Sequence, residues 1–343
     1  GVYSFHSKLR DEHHFDVIRL ENLVEVYANE IAPLHRVRRA LVKLLRQRDE
    51  HEQKALAMQQ VDDELLAYHY EREQYDKPEH AAINAQQATT EDGAPQLLDG
   101  DGQQAVGVVL VHGFLASPAE LKALAGELRA RGYTVYLVRL KGHGTSPWDL
   151  RERSYEDWFA CVQRGIEIIQ GLCEKVAVVG FSTGGSLALY AAAQAGGPLI
   201  STLAGVCAIS VPVRFKNPTM RFAPLVHGAN RLVRSLSLMD GVKIFVENDA
   251  ENPNINYRHI PIRGLNELHR LVDKMREGLP NIKCPVCLIQ GTNDPVVVPD
   301  SIETLREALT QTRVSAHYVQ ADRHGIVYSD IGNTRTLIRE FIE

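Results

Sequence analysis

Apolar residues recur along this chain with two different periods, and the change of period divides it. Near the start the spacing is helical. Leu20, Val24, Tyr27 and Ile31 share one face, and Leu34, Val37, Leu41, Leu44 and Leu45 share another after Pro33, which suits the first turn of a new helix. A third helical run extends from about Glu50 to Tyr75 and carries Met58, Val61, Leu65 and Tyr68. Residues 1–80 therefore predict a helical N-terminal region. Residues 81–94, small and polar after Pro78, predict a linker.

From residue 95 the period changes. Leu97-Leu98, the turn Asp99-Gly-Asp-Gly102 and Val106 to Val111 read as strand, turn and strand. Patterns then alternate: Leu121 to Arg131 helical, Tyr133 to Val138 strand, Tyr155 to Gln170 helical, Val176 to Val179 strand, Leu187 to Gln194 helical, Leu203 to Ile209 strand. Such alternation predicts an α/β fold, a mostly parallel, doubly wound sheet with helices on both faces. It is suspended over about 212–280. There Phe222, Leu225, Val226, Ala229, Leu232, Val233 and Leu236 form one helical stripe, and Leu265, Leu268, Leu271, Val272 and Met275 form a second. This insertion is too long for a loop and too patterned for a linker, and two helices over the carboxyl edge of a sheet would make a cap. Alternation resumes with Val286 to Ile289, Ser301 to Leu309, Val314 to Val319 and Thr334 to Ile342.

Composition narrows the class. Hydrophobic residues at 44% and charged residues at 24% are those of a soluble globular protein, and a net charge of -5 argues against nucleic acid as a partner. No run approaches a membrane span and no signal peptide is visible. A chain that begins at Gly1 rather than Met is expected to be trimmed or processed. Five cysteines without framework spacing suit free thiols in a reducing compartment, which predicts the cytoplasm. Cys284-Pro-Val-Cys287 is formally C-x-x-C, but it leads into an apolar run and reads as the start of a buried strand. In 34–48 the apolar stripe is flanked by Arg36, Arg38, Arg39, Lys43, Arg46 and Arg48 with no acidic residue. That basic amphipathic helix suits peripheral contact with an anionic membrane or a partner protein; the alternative is packing on neighbouring helices with a solvated basic face.

The chemistry gathers at Gly180-Phe-Ser182-Thr-Gly184, a G-x-S-x-G between an apolar strand and an Ala/Leu-rich helix. A strand that turns directly into a helix strains its central residue, and flanking glycines relieve the crowding, so Ser182 would stand above the carboxyl edge of the sheet. A serine hydroxyl needs a base to take its proton and an acid to hold that base. His324, in Asp322-Arg-His-Gly325 after the last strand, and Asp294, in Gly291-Thr-Asn-Asp-Pro295 after the strand before it, reach the same edge. The order is then Ser, Asp, His. Acyl transfer also needs donors for an oxyanion. The N–H of Thr183, at the helix start, supplies one, and the N–H of Phe114, in Val111-His-Gly-Phe114, the other. His112 reads as a loop residue bonding backbone.

Together His112-Gly-Phe114, Gly142-His-Gly144, Glu156-Asp-Trp158, the G-x-S-x-G, Asp294 and Asp322-Arg-His324-Gly325 resemble the α/β-hydrolase superfamily, and within it the microbial carboxylesterases and monoacylglycerol lipases. The resemblance covers about 95–343. It implies a serine hydrolase of carboxylic esters, with a small helical cap, a small-molecule ester or lipid substrate, no cofactor and no metal. His143 is given no catalytic role. A cap has one place to bury its first stripe, downward over Ser182, so Phe222, Leu225 and Val226 are expected to line an acyl site; the alternative is that this helix packs only on the second, through Leu268 and Leu271. Ser182, Asp294 and His324 would equally serve a thioesterase, acyltransferase or peptidase, since the triad chemistry is common to all. A protein that docks through the basic helix, with hydrolase chemistry secondary, is a further alternative.

Overall fold

The computed structural model of the chain describes residues 50–196, 202–216 and 244–343. The helices expected between 20 and 48, with the basic stretch 34–48, and the stripe holding Phe222, Leu225 and Val226 lie outside the described residues.

In chain order the strands are β1 (Gln96–Leu98), β2 (Val106–Val111), β3 (Val135–Val138), β4 (Lys175–Phe181), β5 (Leu203–Ile209), β6 (Phe245–Glu247), β7 (His259–Pro261), β8 (Val286–Gly291) and β9 (Val314–Val319). Seven of them form one sheet in the order β1-β3-β2-β4-β5-β8-β9, with only β1 antiparallel to its neighbour. The remaining two, β6 and β7, pair as a small antiparallel ribbon inside the insertion. The described α-helices are α1 (Glu50–Tyr75), α2 (Ala81–Asn84), α3 (Lys122–Arg129), α4 (Pro147–Glu152), α5 (Tyr155–Gln170), α6 (Thr183–Ala193), α7 (Ile262–Gly278), α8 (Ser301–Ala308) and α9 (Thr334–Ile342).

A parallel sheet covered on both sides must be apolar on both sides. In β2, Val109 and Val111 join the core with α5, α6 and α7, while Val108 and Leu110 join a second core with α3 and α9. The second stripe of the insertion is α7. It buries Leu265, Leu268, Leu271, Val272 and Met275 in the same layer as α5 and α6, rather than standing clear of the sheet.

From residue 57 onward, the buried face of α1 is Ala57, Gln60, Tyr68 and Glu71, while Met58 and Leu65 point outward. The reason lies in a charge. Arg139 follows β3 directly, is 1% exposed, and donates from Nη2 to Glu71 Oε2 at 2.6 Å; its guanidinium also lies 5.3 Å from the centre of the Tyr68 ring. A second cation, Arg153, reaches Glu71 Oε1 at 3.2 Å. Breaking a buried pair from one side leaves an uncompensated charge, a cost of about 3–5 kcal/mol. Glu71→Ala is therefore expected to lower stability by that order in denaturant unfolding of the full chain. Replacing Arg139 by Met in the same molecule should recover part of the loss, and a single variant as stable as wild type would contradict this account.

Residues 78–94 are tied to the same body. Ser146 Oγ donates to Asn84 Oδ1 at 2.6 Å, Thr90 N–H donates to Asn254 O at 2.9 Å, and a Cβ built on Gly93 would sit 2.5 Å from Gly144 Cα. The second glycine of Gly142-His-Gly144 is thus a backbone crossing point.

Candidate active site

β4 ends at Phe181 and α6 begins at Thr183, so the whole reversal falls on Ser182. Its backbone lies at φ 53°, ψ -115°, a conformation that costs a residue with a side chain about 1–3 kcal/mol. The surroundings impose it: Ser182 N–H donates to Ile209 O at 2.7 Å, and no side chain fits at Gly180 or Gly184. A Cβ on Gly180 would sit 2.1 Å from Gly184 O, and one on Gly184 would sit 2.0 Å from Val111 O. Strand and helix therefore cross at contact distance, and the Ser182 side chain is pushed out over the sheet edge.

Two loops meet it there. His324 Nε2 is 2.9 Å from Ser182 Oγ, and His324 Nδ1 is 2.8 Å from Asp294 Oδ2. With Nδ1–H donating to the carboxylate, Nε2 is the acceptor for the serine proton. Asp294 is fully buried and fully engaged. Its Oδ1 accepts from the N–H groups of Val296 and Val297 at 2.8 and 3.0 Å, and its Oδ2 also accepts from Gln290 Nε2 at 3.1 Å. Burial alone would raise the Asp294 pKa, but the His324 ring and the two amides outweigh it and hold the carboxyl below its ordinary range. For His324 burial alone would lower the pKa; the bond to Asp294 and the charges of Asp294, Glu251 and Glu120 win, and the imidazole titrates above its ordinary value.

Both expected oxyanion donors border the same space. Phe114 and Thr183 line a cavity of about 480 Å³ that opens beside Ser182 and His324, and neither N–H is spent on an acceptor among the described residues. The loop carrying Phe114 is braced from below. Leu140 N–H donates to His112 Nε2 at 3.2 Å, which leaves His112 Nδ1–H for Gly113 O at 2.8 Å. Burial pushes the pKa of His112 down to about 4 and that of His143 well below its ordinary value, so both rings stay neutral. Trp158, wholly buried, meets the Phe114 and His143 rings edge-on, each at 5.8 Å. Its neighbour Asp157 closes the start of α5 with Ser154 in a capping box. The motif Glu156-Asp-Trp158 thus caps a helix and supports the loop.

The cavity lining is mixed. Phe114, Leu115, Phe215, Ile260 and Leu268 are apolar, while Glu247, Asn248, Asp249, Glu251, Asn252 and Asn256 are polar. Among the described lining residues Glu120, Glu247, Asp249 and Glu251 are acidic, and none is Lys or Arg.

Sequence reasoning missed three residues here. Gln290 is a second donor to Asp294. Glu120, 4% exposed, accepts Gly113 N–H at 2.7 Å, and burial carries its pKa up to about 7. Its only signal was Ser117-Pro-Ala-Glu120, the spacing of a helix start. Glu251, on the insertion, holds the His324 loop and had no signal at all.

A parallel sheet with a strained serine between strand and helix, faced by histidine and aspartate from the two following strand ends, is the α/β-hydrolase arrangement. The sequence matches the family described as serine aminopeptidase, S33, over residues 102–330, and the chain belongs to that family. It is 31% identical to a thermostable monoacylglycerol lipase of Bacillus sp. (strain H-257) over 210 residues, 60% of this chain and 78% of that one. It is 24% identical to a carboxylesterase of Bacillus subtilis (strain 168) over 233 residues, 65% of this chain and 89% of that one. Among solved structures, a metagenome-derived lipolytic enzyme matches with a TM-score of 0.61 at 24% identity, covering 74% of this chain and 96% of its own. The monoacylglycerol lipase of Paleococcus ferrophilus matches at 0.55 and 22%, covering 72% and 97%. Both share the fold.

Proposed function

We propose that the protein hydrolyses short to medium acyl esters or monoacylglycerols through an acyl-enzyme on Ser182. Membership of the family, with a lipase and a carboxylesterase among its relatives, makes it an ester-cleaving serine hydrolase. The observation that carries the finer reading is the chain Ser182 Oγ, His324 Nε2 and Nδ1, Asp294 Oδ2 beside a cavity whose lining includes Phe114, Leu115, Phe215, Ile260 and Leu268. Ser182 Oγ attacks the ester carbonyl as His324 takes its proton, and the N–H groups of Phe114 and Thr183 receive the charge on the carbonyl oxygen. His324 returns the proton to the departing alcohol. Water, deprotonated by His324 in turn, then releases the acid.

The family description favours a second reading, an aminopeptidase, in which an amine is the leaving group. The test is a panel of p-nitrophenyl esters of increasing chain length beside one thioester and one aminoacyl amide. Each methylene buried against the apolar lining residues should add about 0.8 kcal/mol until the cavity ends, so kcat/KM should climb to an optimum and then drop. A preference for the amide, or a flat profile, would count against the ester reading. Phe222, Leu225 and Val226 are proposed to line the acyl site, and Phe222→Ala or Leu225→Ala should shift the optimum; lowered stability with an unchanged profile would remove them from it.

Contact of the basic stretch 34–48 with an anionic membrane or a partner protein is proposed on its sequence pattern. Among the described residues no helix is long and apolar enough to cross a membrane. All five cysteines are free thiols, which supports a reducing compartment such as the cytoplasm.

A further inference from the structure

Two acidic residues besides Asp294 share the site with His324. Asp294 meets the imidazole from the loop after β8, and Glu120, from the turn after β2, and Glu251, from the insertion, line the same cavity. The cation in this group is Arg323, whose Nε lies 3.4 Å from Glu251 Oε2. Phe181 covers the remaining side, ring to ring at 4.9 Å.

Glu251 differs from the other two in what it holds. Its Oε1 accepts His324 N–H at 2.8 Å and its Oε2 accepts Gly325 N–H at 2.9 Å. One carboxylate thus grips two consecutive backbone amides at the residue whose ring must reach Ser182 and Asp294 together. Such charge-assisted bonds are among the stronger ones a protein makes. The loop is otherwise tied at its edges, by Asn293 N–H to Ala321 O at 2.8 Å and Ile326 N–H to His324 O at 2.8 Å.

The geometry points to Glu251 as a positioning residue for the reaction: a carboxylate delivered by the insertion, outside the Ser182–His324–Asp294 chain, that fixes the backbone of the base and sets negative charge beside it. The inference rests on the reading of Ser182 as nucleophile and His324 as base. Two separable effects follow. As a clamp, Glu251 keeps Nε2 on Ser182 Oγ. As a charge, it favours the imidazolium that forms when Ser182 gives up its proton. The Glu251 side chain is 30% exposed, so water screens the second effect more than the first.

The full chain carries the test, as wild type, E251Q and E251D. The rate at which a fluorophosphonate labels Ser182 is followed against pH, with kcat and KM on one p-nitrophenyl ester and a melting curve for each. E251Q keeps the size and loses the charge. Its plateau labelling rate and kcat should fall roughly tenfold, with KM little changed. Its acid limb should move to lower pH, because the neutral ring is the active form and a ring with less negative charge around it gives up its proton sooner. E251D keeps the charge on a shorter arm, so it should lose rate while holding the wild-type limb. A wild-type rate and limb in E251Q would overturn the assignment, and so would a loss confined to KM or melting temperature. Should E251Q not fold, a wild-type plateau in E251D would overturn it equally. Absence of labelling in the wild type would strike the nucleophile reading instead, so the two failures are distinct.

Discussion

Replacing Ser182 by alanine is expected to lower ester hydrolysis by something approaching ~10⁶-fold while the protein stays folded. The loss follows from what one atom does. Ser182 Oγ is the group within 2.9 Å of the His324 acceptor, and without it no covalent intermediate forms. Stability should change little, because the strain at φ 53° is set by the backbone around the turn and alanine bears it as serine does. Intact-mass spectrometry after fluorophosphonate treatment should show one adduct on the wild type and none on the variant. An adduct on another residue, or none on a sample that turns over ester, would refute the role of Ser182.

Asp294→Asn should cost about 10⁴-fold in kcat with melting close to wild type. The asparagine can keep its oxygen on the Val296 and Val297 amides, which places its NH₂ where Oδ2 now meets His324 Nδ1 and Gln290 Nε2. A donor there turns the imidazole to the tautomer with its proton on Nε2, facing Ser182. That ring cannot act as a base. The wild-type acid limb of kcat/KM should lie above the ~6.5 of a free imidazole, since the charges around His324 raise its pKa and only the neutral ring is active. The residual activity of the variant should persist to lower pH. An Asp294→Asn enzyme of full activity would require a different acid.

How much of this was legible depended on distance along the chain. Ser182, Asp294 and His324 could be brought to one edge from sequence because each follows an apolar strand, and parallel strands put their ends together. Helices on both faces of the sheet were legible too, from the alternation of strand and helix patterns along 106–209. Glu251 was not: its partners lie more than seventy positions away, and nothing in Glu247 to Asn252 has a period. The buried face of α1 misled in a different way. Of the apolar residues in its helical run, Tyr68 and Val61 face the core while Met58 and Leu65 point outward, and the buried face also carries Glu71, the partner of Arg139. The ribbon of β6 and β7, three residues a strand, is too short to show alternation.

The mixed lining of the cavity bears on what happens after the bond is cut. A neutral ester enters, but hydrolysis leaves a carboxylic acid that is ionised at neutral pH. Its new charge arises in a cavity whose described lining includes Glu247, Asp249 and Glu251. The apolar lining residues are indifferent to that change, whereas the acidic ones repel a carboxylate. Accumulating anionic product is therefore expected to compete poorly with fresh neutral substrate for the same space.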